Sequence, residues 1–169
     1  MTRILLAILF AALATACTNA GSQDPEGGDK DAEAFKAEMD AEAKALLPDL
    51  MSTLGGEING MQATFRERGG FGLWDYVASG GIGGTDSSTT DSLAASATTL
   101  EDHGYTVKTE DAQRRVSATK GDIGVIIQAS LLTGESVGLN IRMSNHGAIS
   151  DGDDFAEDAP TQDYLAFLE

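Results

Sequence analysis

VSATKGDIGVIIQASLLTGESVGLNIRM, residues 116–143, alternates apolar and polar side chains for most of its length. Val116 and Ala118 form a first apolar set, Ile123, Val125, Ile127, Ala129 and Leu131 a second, and Val137, Leu139, Ile141 and Met143 a third. Successive side chains of a strand point to opposite faces, so each set is one apolar face of one strand. Lys120-Gly121-Asp122 and Thr133-Gly134-Glu135-Ser136 are the turns between them. Strands joined by short turns, each apolar on one side only, describe an antiparallel sheet with one face packed and the other wet.

Outward from this stretch the pattern continues and then changes. Tyr105 and Val107 alternate in the same way and add a strand. Asp86 to Gly104 takes a helical period, with Ser, Thr and Asp to cap its start, Leu93, Ala97 and Leu100 on one face, and Gly104 as its stop. Gly80 to Gly84 reads as a loop. Ile58, Met61, Ala63 and Phe65, then Arg68-Gly69-Gly70, then Gly72 to Ser79 read as a two-stranded hairpin. From Ala32 to Leu54, Phe35, Met39, Ala43, Leu46, Leu47, Leu50 and Leu54 recur at three and four, the spacing of one helix face, with Pro48 expected to kink the helix or start a second one. The fold expected is α+β: an antiparallel sheet of five to six strands with two helices packed on one face, in the order α-β-β-α-β-β-β.

The first residues carry a different message. Met1-Thr2-Arg3 is short and positive, and Ile4 to Leu13 is an apolar run too short to span a bilayer, which takes about 20 residues. The run ends in Ala14-Thr15-Ala16 and Cys17, the single cysteine of the chain. Leu13-Ala14-Thr15-Ala16-Cys17 resembles the bacterial lipobox, although the leucine usual three places before the cysteine is Ala14 here. That resemblance implies lipid attachment at Cys17, and a lone cysteine in an exported chain forms no internal disulfide. The division expected is therefore a signal peptide over 1–16 and the lipidated Cys17 with a flexible acidic tether over 17–31. A single α+β domain follows over 32–149, then an acidic C-terminal tail with a short terminal helix over 150–169. Tyr164, Phe167 and Leu168 in that tail are expected to dock on the domain.

The lipobox, Leu46-Leu47-Pro48 with Leu54-Gly55-Gly56, Leu100 through Gly104-Tyr105-Thr106-Val107, and Ala118-Thr119-Lys120-Gly121-Asp122 together resemble the small uncharacterised cell-envelope lipoproteins of actinobacteria. The resemblance implies a protein exported and lipid-anchored to the outer face of the cell membrane, or to the outer membrane of a cell that has one. It transfers no catalytic residues.

Charge narrows the partners. The chain carries a formal net charge of −16 with only 11 Lys and Arg, so it repels nucleic acid and anionic headgroups. The expected partners are the membrane, through the N-terminal lipid, and an envelope protein or small ligand. Trp74 and Tyr76 share one strand face and are either core or a ligand platform. Arg66, Arg68, Arg114 and Arg115 stand out among few cations and point weakly to an anionic ligand.

Other motifs are set against catalysis or metals. Gly134-Glu135-Ser136-Val137-Gly138 matches the pattern of a hydrolase nucleophile elbow. Its Ser136 precedes a strand rather than a helix, however, and no acid lies between it and His146, so an exported hydrolase using Ser136 is the alternative and not the main reading. His103, expected in the last turn of the second helix, and His146, expected in the turn Asn145-His146-Gly147, have no zinc-ligand spacing. Gly80-Gly81-Ile82-Gly83-Gly84 lacks the lysine of a phosphate loop. Asp151, Asp153, Asp154, Glu157 and Asp158 do not follow the order of a calcium loop and would make at most a weak calcium-responsive module. No cofactor and no metal site is expected, and the role expected is binding or structural rather than enzymatic.

Overall fold

The computed structural model describes residues 32–69, 73–85, 87–111, 114–130, 138–149 and 154–169. The expectations for the signal peptide, Cys17, the tether, Leu131, Val137, Ser136, Asp151 and Asp153 lie outside the described residues.

Helix α1 spans Ala32–Leu54 and buries Ala32, Phe35, Met39, Ala43, Leu46, Leu47, Leu50 and Leu54, the face read from the sequence. It runs through Pro48 as one element. Pro48 is exposed there, so its ring and missing N–H fall on the solvent side while the buried stripe continues past it. Gly55, at φ +66°, closes the helix, its N–H donating to the Met51 carbonyl at 3.0 Å.

Strands β1 (Glu57–Glu67) and β2 (Trp74–Gly83) form the hairpin. The stretch expected as a loop, Gly80 to Gly84, is largely strand, because its glycines are needed inside the sheet. Gly60 at φ +69° makes a bulge in β1 between Asn59 and Met61. A Cβ on Gly80 would come within 2.5 Å of the Gly60 carbonyl oxygen. Only a glycine lets β2 pass that bulge.

Helix α2, Thr89–Asp102, is shorter at both ends than the expected 86–104. Ser88 caps it by accepting from the Asp91 N–H at 3.2 Å, and its own hydroxyl donates to the Asp91 carboxylate at 2.7 Å. At the other end Gly104 sits at φ +81°. The Gly104 N–H donates to Glu101 and the Tyr105 N–H to Leu100, both at 2.9 Å, a Schellman closure.

Strands β3 (Thr106–Asp111), β4 (Arg115–Lys120), β5 (Ile123–Ala129) and β6 (Leu139–Ile149) follow as an antiparallel meander, and β6 returns to pair with β2. Asn145-His146-Gly147, expected as a turn, lies within β6, since Asn145 pairs with both Tyr76 and Ile123. The C-terminal segment forms a short helix α3 (Asp154–Asp158), a two-residue strand β7 (Gln162–Asp163) on β1, and a 3₁₀ turn over Tyr164–Phe167. Among the described residues the sheet has seven strands in the order β3-β4-β5-β6-β2-β1-β7, all pairs antiparallel. The strand count thus exceeds the expected five to six, and the additions include β7, too short to show a period.

One cluster of buried apolar residues forms between this sheet and the helices. α2 packs over β3, β4 and β5, while α1 packs over β2 and β6 and against the 3₁₀ turn. Tyr164 is fully buried, with Phe167 and Leu168 partly buried against the same cluster, so the terminal apolar residues dock on the body. No described helix is long and apolar enough to cross a membrane.

Candidate functional site on the open face of the sheet

The parity that sends Val116, Val125, Ile127, Ile141 and Met143 inward sends their neighbours outward. Strand register joins these outward residues into rows across the sheet. One row runs Lys108, Ser117, Ile126, Arg142, Ser79, Gln62 and Asp163 over all seven strands. The next runs Asp111, Arg115, Gln128, Asn140, Gly81 and Asn59. In an all-antiparallel sheet, residues paired in one row stand about 5 Å apart.

Where the two rows cross β4, β5, β6 and β2, a cleft of about 500 Å³ opens, lined by Ser79, Gly80, Arg115, Ile126, Gln128, Asn140, Ile141 and Arg142. That volume is within the range of about 300–1,000 Å³ usual for small-molecule sites. Arg115, Gln128, Asn140, Arg142 and Ser79 are exposed, and Ile126 is half-buried. A third outward row is covered on β2 and β6, where Val77 is only 1 % and Ser144 only 3 % exposed, so the cleft does not extend along those strands.

The cleft's lining is polar and hydrogen-bonding. Two guanidiniums supply forks of N–H donors with fixed positive charge, the amides of Gln128 and Asn140 donate and accept, and the Ser79 hydroxyl does both. Arg115 is oriented by its Nε, which donates to Ser117 Oγ at 3.0 Å. Ion pairs among the described residues engage Lys36, Arg68, His103 and Lys120, and neither arginine of the cleft.

Beneath the helices a second polar group has a different character. Tyr76 and Tyr164 both donate their hydroxyl protons to Asp40 Oδ1, at 3.2 and 2.7 Å, and Lys36 pairs with the other oxygen of the same carboxylate. Burial, and then the charge of Asp40, push the Tyr76 hydroxyl well above its ordinary pKa; burial is also the first cause for Tyr164. Tyr105 is shifted up in the same way, by burial first and the nearby Glu42 second. Lys120 holds Glu42 through both carboxylate oxygens at 2.9 Å and lies 5.6 Å from the centre of the Tyr105 ring. These contacts join α1 to β2, to β4 and to the C-terminal turn.

The residues singled out in the sequence are thus dispersed. Tyr76 is fully buried against Phe65, its ring centre 4.6 Å away, and Trp74 is partly buried against the core. Of the four arginines, Arg68 bonds Asp75, which raises its pKa, and Arg66 and Arg114 are exposed. Arg115 alone reaches the cleft. His103 caps α2 and its Nε2 lies 2.9 Å from Asp49 of α1, whereas the side chain of His146 is outside the described ones. Among the described residues no group of three His, Cys, Asp or Glu is placed to hold a metal ion.

Sequence reading missed Ser79, Gln128, Asn140 and Arg142. Each carried a signal, its outward parity beside an inward apolar neighbour, but the pairing of β6 with β2 that assembles them spans some sixty residues of chain. The chain matches no protein-family model, no curated protein and no solved structure.

Proposed function

We propose that this protein is a lipid-anchored, extracytoplasmic envelope protein with a binding rather than a catalytic role. Its place in the cell rests on the N-terminal pattern of Arg3, the apolar run Ile4 to Leu13 and Ala14-Thr15-Ala16-Cys17. Its role rests on one observation above all, the cleft on the sheet face opposite the described helices. Arginine, glutamine, asparagine and serine line it with fixed charge and hydrogen-bonding groups, which select and hold a ligand. General acid–base chemistry calls instead for a group that exchanges protons near the working pH.

The sheet also suits display from a membrane. The described helices and the C-terminal turn cover one face, and the cleft on the opposite face is open to a partner or ligand. Two acyl chains at Cys17 would hold the protein stably, where a single chain binds only marginally, at about 10⁴ M⁻¹.

The test is metabolic labelling with a palmitate analogue, followed by fractionation. Wild type should carry the label in the membrane fraction, and Cys17→Ala should lose it and appear in the medium. Unchanged labelling of Cys17→Ala would overturn the anchor. Cross-linking in whole cells and recovery of the anchored protein then identifies what the open face meets.

A further inference from the structure

We infer that the cleft between Arg115 and Arg142 binds a small organic anion bearing hydroxyl groups, with its carboxylate or phosphate held by the two guanidiniums. This rests on the binding role proposed above and specifies its ligand. The argument begins with position. Arg115 on β4 and Arg142 on β6 are separated by one strand and one step along the outward rows. From strand spacing and rise their Cα atoms are about 12 Å apart. Ile126 and Gln128 of β5 lie between them and form the floor.

Arg115 leans toward the row of Arg142, because its Nε donates to Ser117, which belongs to that row. This contact uses one edge of the guanidinium and leaves its terminal nitrogens to form the fork that matches a carboxylate or phosphate. The charge balance of the molecule makes the pair specific. In a chain of net −16, two arginines face one cleft, and none of its lining residues among the described ones is Asp or Glu. Lys108, exposed in the row of Arg142, and Asp111, the register partner of Arg115, add one formal charge of each sign beside the pair, so the two arginines keep the cleft positive.

The remaining lining sets the rest of the ligand. Gln128, Asn140 and Ser79 offer donors and acceptors to hydroxyl groups, and half-buried Ile126 offers an apolar surface to a carbon skeleton. An acidic sugar or a polyol phosphate combines these features. A bare inorganic anion would leave the amides unused.

The test is titration calorimetry of the full chain in detergent, with glucuronate, glycerol 3-phosphate and uncharged glucose as probes. Glucuronate or glycerol 3-phosphate should bind with an affinity that falls as salt is raised, since exposed charges are screened within about 10 Å at 0.1 M. Glucose should not. The better of the two anions tells a carboxylate site from a phosphate site. Arg115→Gln and Arg142→Gln should each weaken that binding about tenfold or more, the loss of one charge-assisted hydrogen bond. Arg66→Gln, exposed elsewhere on the protein, should leave it unchanged and controls for net charge. Equal loss in all three variants, binding of glucose as tight as of the anions, or no binding of either anion at millimolar concentration would overturn the inference. The envelope-binding reading is judged separately, by the labelling and cross-linking of the anchored protein, and can stand when the anion site falls.

Discussion

The two faces of this sheet are built from the same strands and the same backbone hydrogen bonds, yet they differ in what they present. On the inner face, register joins Val107, Ala118, Val125, Met143, Ala78 and Ala63 into one row and Val116, Ile127, Ile141, Gly80 and Met61 into another. Apart from half-buried Val107 and the glycine, these side chains are buried in the core cluster. One residue over, the outer rows carry arginine, glutamine, asparagine and serine in the open. Along β4, β5 and β6 at the cleft, alternation separates the residues that stabilise the fold from those proposed to meet a ligand. A substitution on one face should therefore change stability, and its neighbour on the other should change recognition.

The largest effect expected is from Ile127→Asp. Ile127 is fully buried between Val116 and Ile141, so the change removes apolar contact and places an unpaired carboxylate in the core. That costs several kcal/mol of a total stability usually about 5–15 kcal/mol. Urea denaturation followed by circular dichroism should show the variant unfolded or far less stable. Ile126→Asp, on the adjacent outward position, should cost much less. Similar losses from both would break the contrast between the faces.

That contrast also marks how far the sequence could be read. The inner face was legible because burial imposes a period, and the helix faces were legible for the same reason. Pro48 and Gly80 misled because each is judged by a local rule that its setting relaxes. Pro48 is exposed on a helix held from its other side, and Gly80 is the residue that makes room for the bulge at Gly60. Asn145 read as a turn residue, yet it is fully buried, its side-chain amide 3.4 Å from the Phe35 carbonyl. A polar side chain inside a core leaves no trace in hydropathy. The cleft was illegible for a further reason: outward residues obey no hydrophobic constraint, and only the pairing of strands distant in sequence brings Arg115, Arg142 and Ser79 to one place.

An intermediate effect comes from pH. All three tyrosines of the chain, Tyr76, Tyr105 and Tyr164, are buried on the covered side, and burial raises each above the ordinary value of 10.0. The folded state thus holds the neutral phenol more firmly than the unfolded state does. Their contribution to stability is fully present below the unfolded value and is lost as pH rises beyond about 10. Alkaline titration should show little tyrosinate absorbance until the protein unfolds, and then absorbance and loss of circular dichroism in one step. Gradual ionisation ahead of unfolding would place one of these rings in water.

The smallest effect expected is from Asn140→Ala. Asn140 is exposed, and β6 is paired on both sides there, with Gln128 of β5 and Gly81 of β2, so its backbone place does not depend on its side chain. Exposed substitutions of this kind usually fall within about ±0.5 kcal/mol, which for a domain of this size moves the melting temperature by about 2 °C. The same amide lines the cleft and is one of the groups proposed to meet a ligand hydroxyl. Calorimetry should therefore find the melting temperature nearly unchanged and the affinity for the hydroxyl-bearing anion reduced, while an anion without hydroxyls, such as acetate, binds as weakly as it does to wild type. A large drop in melting temperature would mean that the outer face also carries the fold, and the division of labour between the faces would then be one of degree.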